Sequence, residues 1–209
     1  MSRTFRIPKC PYDLKERIYL KSDVTVDPGL TVLVGCNGSG KTTFLSFIKD
    51  KLKHEGIPFI SYDNYSDGGQ MSISRSLMFG GNVNAFATLA TSSEGEKIFL
   101  NVADFATQIG KFVQRYRGVE ELYILLDGID SGLSIDNVTE IKEQLFRTVL
   151  SDNQEVDIYI IVSANTFEMC FNERCLDVRT GKYRQFKSYP AYRNFVLKSR
   201  EHKDKRYTN

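Results

Sequence analysis

The chain has 209 residues, 41% of them hydrophobic and 26% charged, which suits one soluble domain with a core of its own. No apolar run reaches the roughly 18–20 residues of a membrane-spanning helix, and the start, Met1-Ser-Arg-Thr-Phe-Arg6, has no apolar signal core, so the expected setting is cytoplasmic with no membrane partner. The net charge of +2 is unevenly placed: residues 179–209 hold ten Lys/Arg against two acids, the remainder eighteen against twenty-four, an acidic body with a basic tail that suits an anionic partner.

In chain order, Arg17–Val26 and Leu30–Gly35 read as short strands around an Asp27-Pro28-Gly29 turn. A glycine-rich loop follows, then a helix from about Thr42 to His54 and a strand over Ile57–Tyr62. Residues 63–95, rich in Gly, Ser and Asn, are the least regular part. From Glu96 the spacing of Ile98, Val102, Phe105, Ile109 and Phe112 predicts an amphipathic helix.

Leu122–Leu126 is a continuous apolar run, as expected of a strand covered on both faces. Ser134 is placed to cap a helix carrying Val138, Ile141, Leu145 and Val149. Val156–Val162 is a second buried strand, Arg174–Phe186 reads as a hairpin, and a last helix follows Pro190 with Tyr192, Phe195, Val196 and Ser199 on one face. Alternating strands and helices predict one α/β layered domain over residues 1–209, with residues 174–209 as its basic hairpin and helix. Cys10, Cys36, Cys170 and Cys175 lack paired metal-ligand spacing and read as reduced thiols.

The strongest motif is Gly35-Cys-Asn-Gly-Ser-Gly-Lys-Thr-Thr43, which fits G-x-x-x-x-G-K-[ST] between an apolar strand and a helix. Such a loop turns backbone N–H groups toward phosphates and presents a positive helix end to them. The expected nucleotide-binding residues are therefore Asn37, Gly38, Ser39, Gly40, Lys41, Thr42 and Thr43, with Lys41 on the β- and γ-phosphates and Thr42 on Mg²⁺. Asp127, ending the apolar strand, supplies the second metal ligand.

With Asp130-Ser-Gly-Leu-Ser134 directly after it, this set resembles an ABC-type P-loop ATPase. The similarity lies with the SMC and RecF-like DNA-maintenance branch, over roughly residues 17–165, and implies a three-layer head domain with a mixed sheet. Eighty-five residues lie between Lys41 and Asp127, too few for coiled-coil arms, so a compact form is expected, of a size suited to a phage or mobile-element accessory ATPase. The resemblance implies ATP and Mg²⁺ as cofactors and an ATP-sandwich homodimer, with a signature loop reaching the partner's γ-phosphate. Thr91–Lys97 fits that loop better than Tyr65–Gln70, because it opens a helix leading to Leu122. Ser92, Ser93, Gly95 and Glu96 are its expected contacts, and Gln70 falls near the place of a metal-linking glutamine.

Two departures bear on hydrolysis. Gly128 stands where the family carries a catalytic glutamate, and Asn165 where it carries a histidine. General-base assistance gives roughly 10²–10⁴-fold, so slow turnover is expected unless Asp130, or Glu94 or Glu96 of a partner, substitutes. Asp130 reads more readily as a turn former than as a base, and Asn165 can bond a γ-phosphate but cannot titrate. Tyr12 and Tyr19 are candidate adenine-stacking residues; His54 and His202 receive no catalytic role. The basic, aromatic tail suits either nucleic-acid binding or a terminal amphipathic helix docked by its aromatics. A protein-interaction switch that binds ATP without hydrolysing it, read by an unknown protein partner, is the alternative function.

Overall fold

The computed structural model describes residues 1–10, 17–64 and 94–205, and for residues 94–103 it is the backbone that is described. Its centre is a six-stranded sheet. In chain order the strands are β3 (Gly29–Val34), β4 (Phe59–Asp63), β5 (Glu121–Asp127), β6 (Asp157–Ser163), β7 (Cys175–Asp177) and β8 (Lys182–Arg184), arranged β4-β5-β6-β3-β7-β8. All neighbours are parallel except β7 and β8, so the architecture is α/β with a mostly parallel, mixed sheet.

Side-chain alternation sends each strand's residues to two separate cores. Val32, Val34, Leu122, Ile124, Leu126, Ile158, Ile160 and Val162 form one, under α2 (Glu94–Arg115), the helical run Ile135–Ser151 and α6 (Tyr189–Asp204). Leu33, Tyr123, Leu125, Tyr159 and Ile161 form the other, under α1 (Lys41–Glu55) and a separate antiparallel pair, β1 (Arg3–Arg6) with β2 (Asp23–Val26). Tyr123 and Tyr159 stack at 4.4 Å between ring centres across adjacent strands. Every central strand is thus covered on both faces, which is why Leu122–Leu126 is unbroken apolar sequence.

Several expectations shift. The strand expected over Arg17–Val26 shrinks to Asp23–Val26, and its partner β1, Arg3–Arg6, carries too few apolar residues to announce itself as a strand. Ser134 takes the N-cap position of α3 (Ile135–Glu140) but makes no side-chain cap bond. That helix widens into a π-helical stretch, Ile141–Phe146, before α4 (Arg147–Ser151). The wide stretch includes buried Lys142, whose ammonium donates to Glu168 O at 3.1 Å and Phe171 O at 3.0 Å, beside a short helix α5 (Phe167–Cys170) that periodicity does not reveal.

The hairpin of β7 and β8 and the terminal helix are present, but α6 begins at Tyr189, ahead of the expected start, and takes Pro190 into its first turn. Tyr192 and Phe186 are buried against the core, so the tail docks through its aromatics, and these two rings are closed to base stacking. No described helix is long and apolar enough to cross a membrane.

Candidate functional site

The glycine-rich loop leaves the carboxyl end of β3 and turns directly into α1. Ser39 N–H donates to Cys36 O at 3.1 Å, and Phe44 N–H to Gly40 O at 2.9 Å starts the helix. Gly40 has φ 98°, and a Cβ there would lie 2.8 Å from the Tyr19 hydroxyl and 2.9 Å from Ile18 Cγ2. At Gly35 a Cβ would strike Ser39 Oγ at 2.4 Å. Glycine is therefore demanded on both sides of the loop. Gly40 caps α1 without a side-chain bond, so the first helical turn is not closed off by its cap.

Lys41 is 8% exposed, and its ammonium folds back onto Gly35 O (2.9 Å) and Cys36 O (3.4 Å). Burial pushes its pKa down, against the opposing pull of Asp130 and Asp127 nearby. Ser39 Oγ is buried in the same loop without a hydrogen-bond partner. A desolvated cation, an orphan hydroxyl and a helix N-terminus meet at one point, a combination that fits an incoming anion.

Asp127 ends β5, two strands from β3 with β6 between. Ser163, at the end of β6, donates through Oγ to Asp127 Oδ1 and accepts Gly128 N–H at 2.8 Å, which fixes the carboxylate. Thr42 and Asp127 line one cavity of about 350 Å³, together with Ser46, Lys49 and Asp63. Asp63 ends β4 directly opposite Asp127 in the strand register, so two strand-tip carboxylates stand side by side.

No known family model and no curated protein matches this chain.

Asp130 is 1% exposed, and its Oδ2 accepts from Asn165 N–H (2.7 Å), Thr166 N–H (2.7 Å) and Thr166 Oγ (2.8 Å). Its Oδ1 is buried without a partner, and burial raises its pKa despite the three donors. With these bonds Asp130 ties the turn after β5 to the turn after β6, which is a structural role. Asn165 is exposed, with Nδ2 donating to Ser131 Oγ at 3.0 Å and its carbonyl accepting from the Tyr192 hydroxyl at 2.9 Å. Asn64 Nδ2 donates to Ser131 O at 2.9 Å, so three loops at the carboxyl edge of the sheet are cross-linked around Ser131.

Gln70, Ser92, Ser93 and Tyr12 lie outside the described residues, as does the competing segment Tyr65–Gln70. Gly95 and Glu96 sit in the first turn of α2, which begins at Glu94. Tyr19 is corrected: it is 1% exposed, packs edge-on against Phe44 and donates to Gly40 O at 2.6 Å, so it shapes the loop and has no open face for a base.

Sequence reasoning misses Asp63, Ser163 and the end of α6. Ser199 Oγ accepts Cys36 N–H at 3.1 Å, and Lys203 Nζ lies 3.4 Å from Asn37 O. The signal for Ser163 is a hydroxyl at the tip of the strand that neighbours Asp127. Ser199 and Lys203 carry no local signal, since they meet the loop only through the tertiary fold.

Proposed function

We propose that the chain binds ATP with Mg²⁺ as a compact ABC-type P-loop ATPase. The observation that carries this reading is the cavity shared by Thr42 and Asp127 beside the buried Lys41. Lys41 meets the β- and γ-phosphates, Ser39 Oγ gains an acceptor, and Thr42 and Asp127 hold the cation. Mg²⁺ is commonly held by one or two protein carboxylates plus phosphate oxygens and water. Bound Mg²⁺ supplies charge neutralisation on the phosphates; the chain's own residues orient them. The order β5-β6-β3, with the loop and Asp127 at the same sheet edge, supports the P-loop fold.

Two copies sandwich two nucleotides in this reading, each lending Ser92–Glu96 to the other. The start of α2 at Glu94 supports that segment, since a helix opening there leads straight into β5. The basic tail remains a candidate nucleic-acid contact through its exposed cations alone.

Hydrolysis is slow. Gly128 offers no carboxylate and sits at φ 62°, and Asp130 is engaged with Asn165 and Thr166. These same observations favour a second reading, an ATP-closed switch that a partner protein recognises without turnover. Steady-state ATP turnover of wild type and Lys41→Ala, with and without DNA, separates the two. Turnover that depends on Lys41 removes the non-hydrolysing switch. Binding of a fluorescent ATP analogue that is equal in the two proteins removes the site itself.

A further inference from the structure

A second cavity, of about 460 Å³, opens on the other side of the glycine-rich loop, between the β7–β8 edge and one face of α6. Its size falls in the range of small-molecule sites. We propose that this cleft holds the nucleoside end of the bound nucleotide, with the base stacked on Arg184; the proposal rests on the nucleotide reading above.

Sheet order sets the direction. Asp127 lies two strands from β3 on the β6 side, about 10 Å at the usual strand spacing. A triphosphate seated over the loop with its metal-bound end toward Asp127 must run its other end toward β7. Beyond β7 lies this cleft. Ser199 connects the two places, because it lines the cleft and accepts the N–H of Cys36 within the loop. Among the described residues, Tyr19 and Ile18 close around Gly40 at the start of α1.

The lining has the chemistry of a base and ribose site. The Arg184 guanidinium lies 5.2 Å from the centre of the half-buried Phe195 ring, and Asp177 Oδ2 holds its Nε at 3.5 Å. A guanidinium placed over an aromatic ring and tethered by a carboxylate can serve as a stacking platform for another planar π system. Asn194, exposed on α6, presents both a donor and an acceptor to a base edge. Lys198 and His202 follow on the same helix face, toward the loop, where the first phosphate and the ribose pass.

The test compares Mg–ATP with Mg–tripolyphosphate, which carries the phosphates without a nucleoside. Arg184→Ala removes the platform, and Asn194→Trp fills the cleft from an exposed helix position. Both are expected to raise the Kd for ATP by about tenfold or more, the equivalent of one lost base stack, while the Kd for tripolyphosphate moves much less. An ATP Kd unchanged in both variants overturns the proposal, and so does an equal loss for both ligands, which marks simple charge attraction. Wild-type protein that binds neither ligand overturns the nucleotide reading itself, and this inference with it.

Discussion

The backbone N–H of Cys36 donates to Ser199 Oγ at 3.1 Å, joining the glycine-rich loop to a helix 163 positions further along the chain. Cys36 is 4% exposed, so this donor has little access to water. Ser199→Ala leaves it without its acceptor, and a buried unsatisfied donor costs about 1–3 kcal/mol. Urea denaturation is expected to show a lowered midpoint with unchanged slope. An unmoved midpoint would mean that α6 does not support the loop.

Lys41 should separate folding from binding. The folded chain has already desolvated this ammonium, so Lys41→Met removes a buried charge and keeps an apolar stem of similar length. The variant is expected to melt at or above the wild-type temperature without nucleotide. If the proposed site binds Mg–ATP, a hundredfold excess over Kd is expected to stabilise wild type by about 2.7 kcal/mol, and that gain should vanish in Lys41→Met. A variant that is simply unfolded would contradict the reading of Lys41 as a binding residue.

Asp63 lines the same cavity as Thr42 and Asp127, so in the proposed ATP site it is the carboxylate on which any residual, slow hydrolysis would depend. Asp63→Asn is expected to lower single-turnover hydrolysis by roughly 10²–10⁴-fold, the usual worth of a general base, with ATP affinity nearly unchanged. Equal rates in the two proteins would exclude this role.

Much of the site is readable locally because its chemistry depends on neighbours in sequence. Gly35 to Gly40 forms a loop by the torsional freedom of its glycines before α1 begins at Lys41, and Leu122–Asp127 forms a strand by unbroken hydrophobicity. What escapes depends on register and packing. Asp63 becomes interesting only once β4 is known to lie beside β5. Ile18 and Tyr19 resemble strand residues because they are apolar, yet their burial comes from contact with Gly40 and Phe44. Lys142 has the sequence context of a solvated helix position, but the carbonyls of Glu168 and Phe171 receive it. Gly128 stands in the place of a glutamate, and its left-handed φ of 62° adds that a side chain there would cost roughly 1–2 kcal/mol.

Asp130 makes stability depend on pH in a definite sense. Burial raises its pKa above the ordinary carboxyl value, so the folded chain keeps a proton that the unfolded chain releases. Its favourable contribution is complete below about pH 4 and is lost as pH rises through the native pKa. The stability of wild type relative to Asp130→Asn should therefore fall from acid toward neutral pH and then level off. Urea titrations at a series of pH values check this; a difference that grows with pH would mean the three donors outweigh burial.

The central claim is that Asp127 and Thr42 complete a cation site on a phosphate held by Lys41. Calorimetric titration of ATP into wild type and Asp127→Asn, each with and without Mg²⁺, tests it most directly. The account predicts that Mg²⁺ tightens ATP binding to wild type by tenfold or more, about 1.4 kcal/mol, and that Asp127→Asn loses most of this gain while still folding. ATP binding that is absent in wild type, or unaffected by both Mg²⁺ and the substitution, would contradict it.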